Sequence, residues 1–356
     1  MRFDVSLCVK YYNMPAEYWT IAQEALDWMS GDALCPALME TVLDALTRGD
    51  RDISLDAARS MRQRVSVLAP EKTEGVYPAV FAVALDGALA RMRRAGIPEE
   101  IILDTLSDFG IWARAYEKNT GRVGFGEIGW ELNFISGRIL KLGRLQFECC
   151  AYHPPYTIYR QDGRLIPVPN PGVGVDENGM IAQGVPVKFT TAQRVEDGVL
   201  YYNHVDGRAR ITEEVRALKL SEAEAVLTTG MRSLGIHIPE TGPLSDEEVE
   251  ASLKKAKEFF AWMGYPCRLA ACESWLLDPE LRVYGEGCTN MQKFMDRFTL
   301  YTENVDGSDA VNRVYGRGTD ASDPDLLPEN TRLQRGLKKL LKTKPLLRDS
   351  GGVLEL

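Results

Sequence analysis

The hydrophobic periodicity of this chain changes near residue 143, and that change constrains its fold more than any other feature. Before it, apolar residues recur at helical spacing. Tyr18, Ile21, Ala22, Ala25 and Met29 form one stripe, Leu55, Ala58, Met61, Val65 and Leu68 a second, and Ile102, Leu106, Phe109, Ala113 and Tyr116 a third. A 3.6-residue repeat predicts amphipathic helices, and Gly31, Gly49, Gly75 and Gly96 between the stripes read as stops. After it come short alternating runs such as "RLQFEC", "YTIYR", "VLYYNHV", "GIHIP" and "RLAACESW", with Asp-Gly turn signals in "QDGR" and "VDGR". Helices are predicted near 221–229 and 245–262, and shorter ones near 279–284 and 290–298. The expectation is an α+β chain. An all-helical domain spans 1–142, and a mixed α/β domain with a largely antiparallel central sheet and a basic C-terminal helix spans 143–356.

Charge and composition exclude several classes. A formal charge of −9 repels nucleic-acid phosphates, so no nucleic-acid partner is expected. Seven cysteines without a regular framework read as free thiols in a reducing cytosol. The most apolar run, "PAVFAVALDGALA", is short and carries Asp86, so no membrane span is expected. The N-terminus lacks a secretory pattern, so a cytoplasmic location is expected.

The stretch "GFGEIG", residues 124–129, has the spacing of the dinucleotide-binding glycine fingerprint, and Glu148 follows at the interval of a ribose-binding acid. Such a site needs a strand before the glycines. The preceding "IILDTLSDFGIWARAYEKNTG" has helical periodicity and stops at Gly121, leaving Arg122 and Val123 as the whole of that strand. The glycines therefore read as a joint between two helices, while "WELNFISGRILKLG" after them can form a helix.

Residues 235–264 offer a better-placed loop. Ile236 and Ile238 alternate around His237 as in a strand, and a tight loop follows from Glu240 to Leu244. Ser245 and Glu248 then form a capping box, and Val249, Leu253, Ala256 and Phe260 a buried stripe. "RLAACESW" supplies the next strand. A helix N-terminus beside a strand end presents free N–H groups to an anion. Asp246, Glu247 and Glu248 in the first turn already complement the helix dipole and oppose one.

"GRLQFE", "LGIHIPETGPLS", "CESWLLDPEL" and "LLPENTRLQRGL" resemble a bacterial acyltransferase-domain family that pairs a helical N-acyltransferase domain with a GNAT-like C-terminal domain. The resemblance covers nearly the whole chain. It implies that "GIHIP" is the central strand, at whose splayed edge acyl-CoA pairs. The backbone of Ile238, Thr241, Gly242, Leu244 and Ser245 would then receive the cofactor, and "RLAACESW" would lie across the splay. The loop departs from the usual arm: Gly242 is its lone glycine, and Glu240 stands where a basic residue would help.

Transfer of an acyl group to an amine needs a base, donors for the thioester oxygen and an acid for the leaving thiolate. His237 is the first choice as base. Glu148, on the strand face shared with Gln146, is a second base or a substrate anchor. Ser274, sharing a face with Cys272, is a donor to the acyl or thiol group. Tyr284 falls where the resemblance places a tyrosine acid. Each also reads as an ordinary packed or hydrogen-bonded side chain. No metal-ligand spacing is present. The expectation is an acyl-CoA-dependent N-acyltransferase acting on a small-molecule or peptide amine. The alternative is a non-catalytic GNAT-like binding protein. The C-terminal "RLQRGLKKLLKTKPLLR" is expected to dock Leu333, Leu337, Leu340 and Leu341 and leave its lysines in water.

Overall fold

The computed structural model describes residues 2–284, 289–304, 307–343 and 347–356. The chain packs as two units, Met1–Leu142 with Gln146–Glu148, and Gly143–Leu145 with Cys149–Leu356.

The first unit is built from α1 (Val5–Tyr12), α2 (Ala16–Gly31), α3 (Cys35–Arg48), α4 (Arg51–Leu68), α5 (Val76–Arg94), α6 (Glu99–Leu106), α7 (Asp108–Thr120) and α8 (Ile128–Ile135), with the short strand β1 (Ile139–Leu142) after them. Its core is aromatic: Tyr12 and Phe109 lie 4.4 Å apart between ring centroids, and Phe81 meets Phe109 and Phe125 edge-on at 4.7 and 4.8 Å. The segment Pro70–Arg94, a 3₁₀ turn running into α5, is long and apolar enough to cross a membrane, but 72% of its most apolar window is buried. Gly75 is no stop. A side chain there would overlap the Ile21 carbonyl of α2, so glycine is required for the close approach of two backbones.

The glycine fingerprint resolves as packing. α7 runs to Thr120 and ends on left-handed Gly121, φ 68°, so no strand precedes the glycines. A Cβ on Gly124 would sit 2.8 Å from the Tyr116 ring and 2.9 Å from the Glu74 carboxylate, and one on Gly126 3.1 Å from the same ring. The helix expected after them is shorter than its periodicity implies. α8 stops at Ile135, and Ile139–Leu142 is extended.

The second unit contains β2 (Leu145–Ala151, shared with the first), β3 (Tyr156–Gln161), β4 (Arg164–Pro169), β5 (Gly174–Val175), β6 (Phe189–Thr190), β7 (Gln193–Glu196), β8 (Val199–Val205), β9 (Ile211–Lys219), β10 (Glu224–Leu227) and β11 (Arg232–His237). There follow α9 (Asp246–Trp262), β12 (Leu269–Ser274), α10 (Pro279–Tyr284), α11 (Thr289–Asp296), β13 (Thr299–Asn304), α12 (Ser308–Tyr315), α13 (Arg332–Leu341) and β14 (Asp349–Glu355). The main sheet has the order β1-β2-β11-β12-β14-β13, and smaller sheets pair as β10-β3-β4, β7-β8-β9 and β5-β6. In the main sheet β11 and β12 are parallel, while β12, β14 and β13 alternate antiparallel.

The helix expected near 221–229 is absent. "EAVL" pairs instead with β3 as the edge strand β10, because Leu227 gains burial in the core beside Ile158 and tertiary packing overrides alanine and glutamate propensity. β14 escapes the sequence pattern. Its Gly351 lies in register with both Glu273 and Tyr301, and any side chain there would overlap the Tyr301 ring. In the "QDGR" turn Asp162 and Gly163 both take positive φ, 51° and 70°, as a two-residue hairpin demands.

The basic C-terminal helix α13 buries Leu337 and Leu340 as expected, but not all its lysines reach water. Lys338 is buried, with its ammonium on the carbonyls of Asp325 and Leu327 and on Glu329.

Candidate functional site

The register of the second unit sorts side chains onto two faces. Leu234 pairs with Ala270 and Gly235 with Ala271, and the ladder between β11 and β12 ends there. Beyond it β12 continues against β14 through Cys272, Glu273 and Ser274, while β11 continues through Ile236 and His237. Two parallel neighbours thus part after two paired positions. Because side chains alternate along a strand, Gly235 and His237 share a face with Ala271 and Glu273, and Glu273 with Gly351 and Tyr301 across the antiparallel pairs. Ile236, Cys272 and Ser274 face the other way.

His237, half-buried, therefore stands on the same face as Glu273, each on one lip of the parting strands. Two strands further on lies Glu303, half-buried beside Tyr301. Tyr301 packs against Tyr156 with the rings tilted, 4.6 Å between centroids, and meets Tyr152 edge-on at 6.4 Å. Desolvation by burial, followed by the charge of Glu273, pushes the Glu303 carboxyl up to about 8. Desolvation also raises Glu273. A carboxyl that titrates near neutral pH can take a proton from an ammonium acceptor and hold it. Sequence reading missed both glutamates: strand alternation shows the face of a residue but not its desolvation.

The other expected residues are dispersed. Ser274 lies on the opposite face, and its Oγ caps the turn after β12 by accepting from Leu276 N–H at 3.1 Å. Glu148 sits in the first unit, where its carboxylate takes the Arg138 guanidinium at 2.8 Å, a tie that occupies an anchor for substrate. Tyr284 ends α10, and its side chain lies outside the described residues.

The loop between β11 and α9 carries the expected cofactor-binding residues. Ser245 is the N-cap of α9. Its reciprocal partner is not the backbone: the hydroxyl reaches the Glu248 carboxylate at 2.6 Å and accepts weakly from Glu248 N–H at 3.4 Å. The reciprocal capping box falls elsewhere, at Thr331 and Gln334 of α13. Thr241 N–H is spent on the Pro239 carbonyl at 2.8 Å, which removes it from the donors expected for a ligand. Among the described residues, the N–H groups of Gly242, Leu244 and Ser245 meet no protein acceptor, and Gly242, at φ 66°, faces open space. Ile238 is half-buried just past the end of β11. Free amides beside a helix N-terminus fit an anionic pyrophosphate.

Arg144, also unforeseen, underpins this loop. Its Nε donates to the Pro243 carbonyl at 2.9 Å, Nη1 to Pro239 at 3.0 Å and Nη2 to Gly242 at 3.2 Å. It is 95 to 99 residues away in sequence from the carbonyls it holds, so no local motif announces it. A separate hollow of about 340 Å³, lined by Glu250, Lys254, Lys257, Arg297 and Leu356, opens where β14 ends against the start of β12, away from the parting strands.

Fold and site together define a helical N-terminal region followed by a GNAT-like domain with mostly antiparallel sheets. The chain belongs to the family of the GNAT-like C-terminal domain, which matches residues 139–354, and an N-acyltransferase N-terminal domain matches residues 13–137. Among solved structures, an acyltransferase mutant in complex with octanoyl-CoA is similar over 100% of this chain and 90% of its own, with TM-score 0.62 and 18% identity. An acyltransferase in complex with decanoyl-CoA and teicoplanin is similar over 80% of this chain and 67% of its own, with TM-score 0.54 and 20% identity. At such identities the likeness is one of fold. A comparison with curated proteins finds no match.

Proposed function

We propose that this protein is an acyl-CoA-dependent N-acyltransferase whose acceptor is the amine of a small molecule or peptide. The observation that carries the reading is the parting of β11 and β12 after Gly235 and Ala271, directly before a loop with unspent amides at the start of α9. The backbone of Ile238, Gly242, Leu244 and Ser245 holds the donor. The family supports this, and so do the acyl-CoA complexes of the structural neighbours. The teicoplanin complex of one neighbour supports an acceptor of small-molecule or peptide type.

The donor supplies an activated thioester carbonyl; the chain supplies binding and proton transfer. His237, the last residue of β11, is the base. Glu273 and Glu303, on the same face, attract a protonated amine and accept its first proton in the molecules where they are ionised, a fraction that for Glu303 grows as pH rises toward 8, and this frees the lone pair for attack. Tyr284 is the proposed acid for the thiolate. The non-catalytic alternative draws on the acidic first turn of α9 and on Glu240, both of which oppose an anion.

Thermal melting with acetyl-CoA, decanoyl-CoA, CoA and NAD tests the reading. Ligand at a hundredfold excess over its dissociation constant stabilises by about 2.7 kcal/mol, a clear upward shift. The CoA species are expected to give that shift and NAD none. No shift with any CoA species at millimolar concentration defeats the proposal. Binding without turnover across a panel of amines favours the alternative. His237→Ala is expected to retain CoA binding and to lose about 10²- to 10⁴-fold in kcat.

A further inference from the structure

We propose that Arg144 is the positioning residue of the loop Pro239–Ser245, fixing from behind the peptide planes that receive the pyrophosphate of the acyl donor. The inference rests on the acyl-CoA reading above. Guanidinium nitrogens form a rigid planar fork, and here Nε, Nη1 and Nη2 each hold a different carbonyl of one loop, those of Pro243, Pro239 and Gly242. In a trans peptide the C=O and the following N–H point in opposite directions. Anchoring the Pro239 carbonyl therefore turns the Glu240 N–H away from the guanidinium, and anchoring the Pro243 carbonyl turns the Leu244 N–H away. The Gly242 carbonyl precedes a proline, which has no N–H, so that bond sets shape alone. Donors aimed by Arg144 in this way need no rearrangement when an anion arrives.

The same group answers the charge problem of the arm. Glu240, Asp246, Glu247 and Glu248 lie in or just after the loop, of which Arg297 pairs only with Asp246, at 2.6 Å, and the usual basic residue of the arm is missing from it. Arg144 brings a cation to its back from a distant part of the chain. Lysine cannot replace it, since a single ammonium does not span three carbonyls in a plane. The turn carrying Arg144 is held independently of its head group. Leu145 N–H donates to Ser252 Oγ of α9 at 3.0 Å, and Gly143 packs against the same serine. Substitution of the head group should therefore leave the fold intact.

The test compares decanoyl-CoA with decanoyl-pantetheine, which keeps the thioester arm but lacks the pyrophosphate. Binding is measured by calorimetry on wild type, Arg144→Gln and Arg144→Lys, with melting curves to verify folding. The expected result is that Arg144→Gln raises the dissociation constant for decanoyl-CoA about tenfold and leaves that for decanoyl-pantetheine unchanged, with Arg144→Lys between. Equal weakening of both ligands marks a merely structural role and overturns the proposal. Unchanged binding of both in a folded variant overturns it as well, with the acyl-CoA reading still standing. Wild type that does not bind decanoyl-CoA defeats the acyl-CoA reading, and this inference falls with it. If Arg144→Gln does not fold, Arg144→Lys carries the same comparison.

Discussion

Arg348 is a buried arginine at the entry to β14, and its side chain decides whether that strand can dock. It is 1% exposed, its Nε lies 3.4 Å from the equally buried Asp278, its N–H donates to the same carboxylate at 3.2 Å, and Nη2 donates to the Arg208 carbonyl at 2.5 Å. One side chain thus ties the segment before β14 to the start of α10 and to the β8–β9 turn. Removing one partner of such a pair leaves a buried charge without compensation, which costs about 3–5 kcal/mol. Asp278→Ala is therefore expected to shift the urea unfolding midpoint strongly downward, while replacing both residues by apolar ones of similar volume recovers most of the loss. A shift no larger than that of a surface substitution contradicts this account. The sequence offered no sign of the pair, whose members are 70 residues apart and sit in unpatterned stretches. By contrast, His237 was legible, because alternation within "GIHIP" puts it on a face of its own. Glu273 and Glu303 were not, because their chemistry comes from desolvation by burial, which the alternation of a strand does not reveal.

At the scale of elements, periodicity succeeded where a segment buries one stripe and failed where partners decide. α9 follows its stripe of Val249, Leu253, Ala256 and Phe260, and all four are buried. Alanine and glutamate favour a helix over the β10 segment, yet a strand register against β3 buries Leu227. β14 was invisible because Gly351 and Gly352 break any alternation, although both are needed under Tyr301 and Phe298. Gly351→Ala is expected to destabilise by about 1–3 kcal/mol through overpacking against the Tyr301 ring, and a melting point equal to wild type would refute that packing. The cap of α9 makes a second prediction. Ser245→Ala removes the hydroxyl that receives Glu248 N–H, at a cost of about 1 kcal/mol. It should weaken CoA binding less than Arg144→Gln does, because the hydroxyl is occupied by Glu248 while the amide of residue 245 survives the change.

For the molecule as a whole, the change of texture near residue 143 was enough to foresee helices followed by strands, since each half buries apolar residues with a different period. What it hid is that each unit stores a carboxyl that prefers its proton. In the first, Glu131 is fully buried. Desolvation, then the charge of Asp108, hold it well above the usual carboxylate range, while Gln146 and Trp112 donate to Asp108 at 2.6 and 2.9 Å. In the second, Glu303 is raised from 4.5 to about 8. For both, the folded chain binds more protons than the unfolded one, so the slope of stability against pH is negative across the window between the two values. Their contribution is complete below the unfolded value and drains away as pH rises; for Glu303 it is gone above about 8. Glu99 works in the opposite sense. The Arg93 guanidinium holds it down at about 2, so its contribution is present at neutral pH and is lost as pH falls toward that value. The melting temperature should therefore peak on the acidic side of neutrality and decline from pH 5 to pH 9, where proteins without such groups stay level. Glu303→Gln is expected to flatten the part of the decline below about pH 8. Glu131→Gln keeps an amide donor for Asp108 and should remove a further part, with the double variant left only the smaller decline from Asp108, Glu273 and Asp278, which burial also raises. A wild-type melting temperature that rises over that range would show that neither carboxyl is buried as described, and with Glu303 would go the proton acceptor assigned to the acceptor amine.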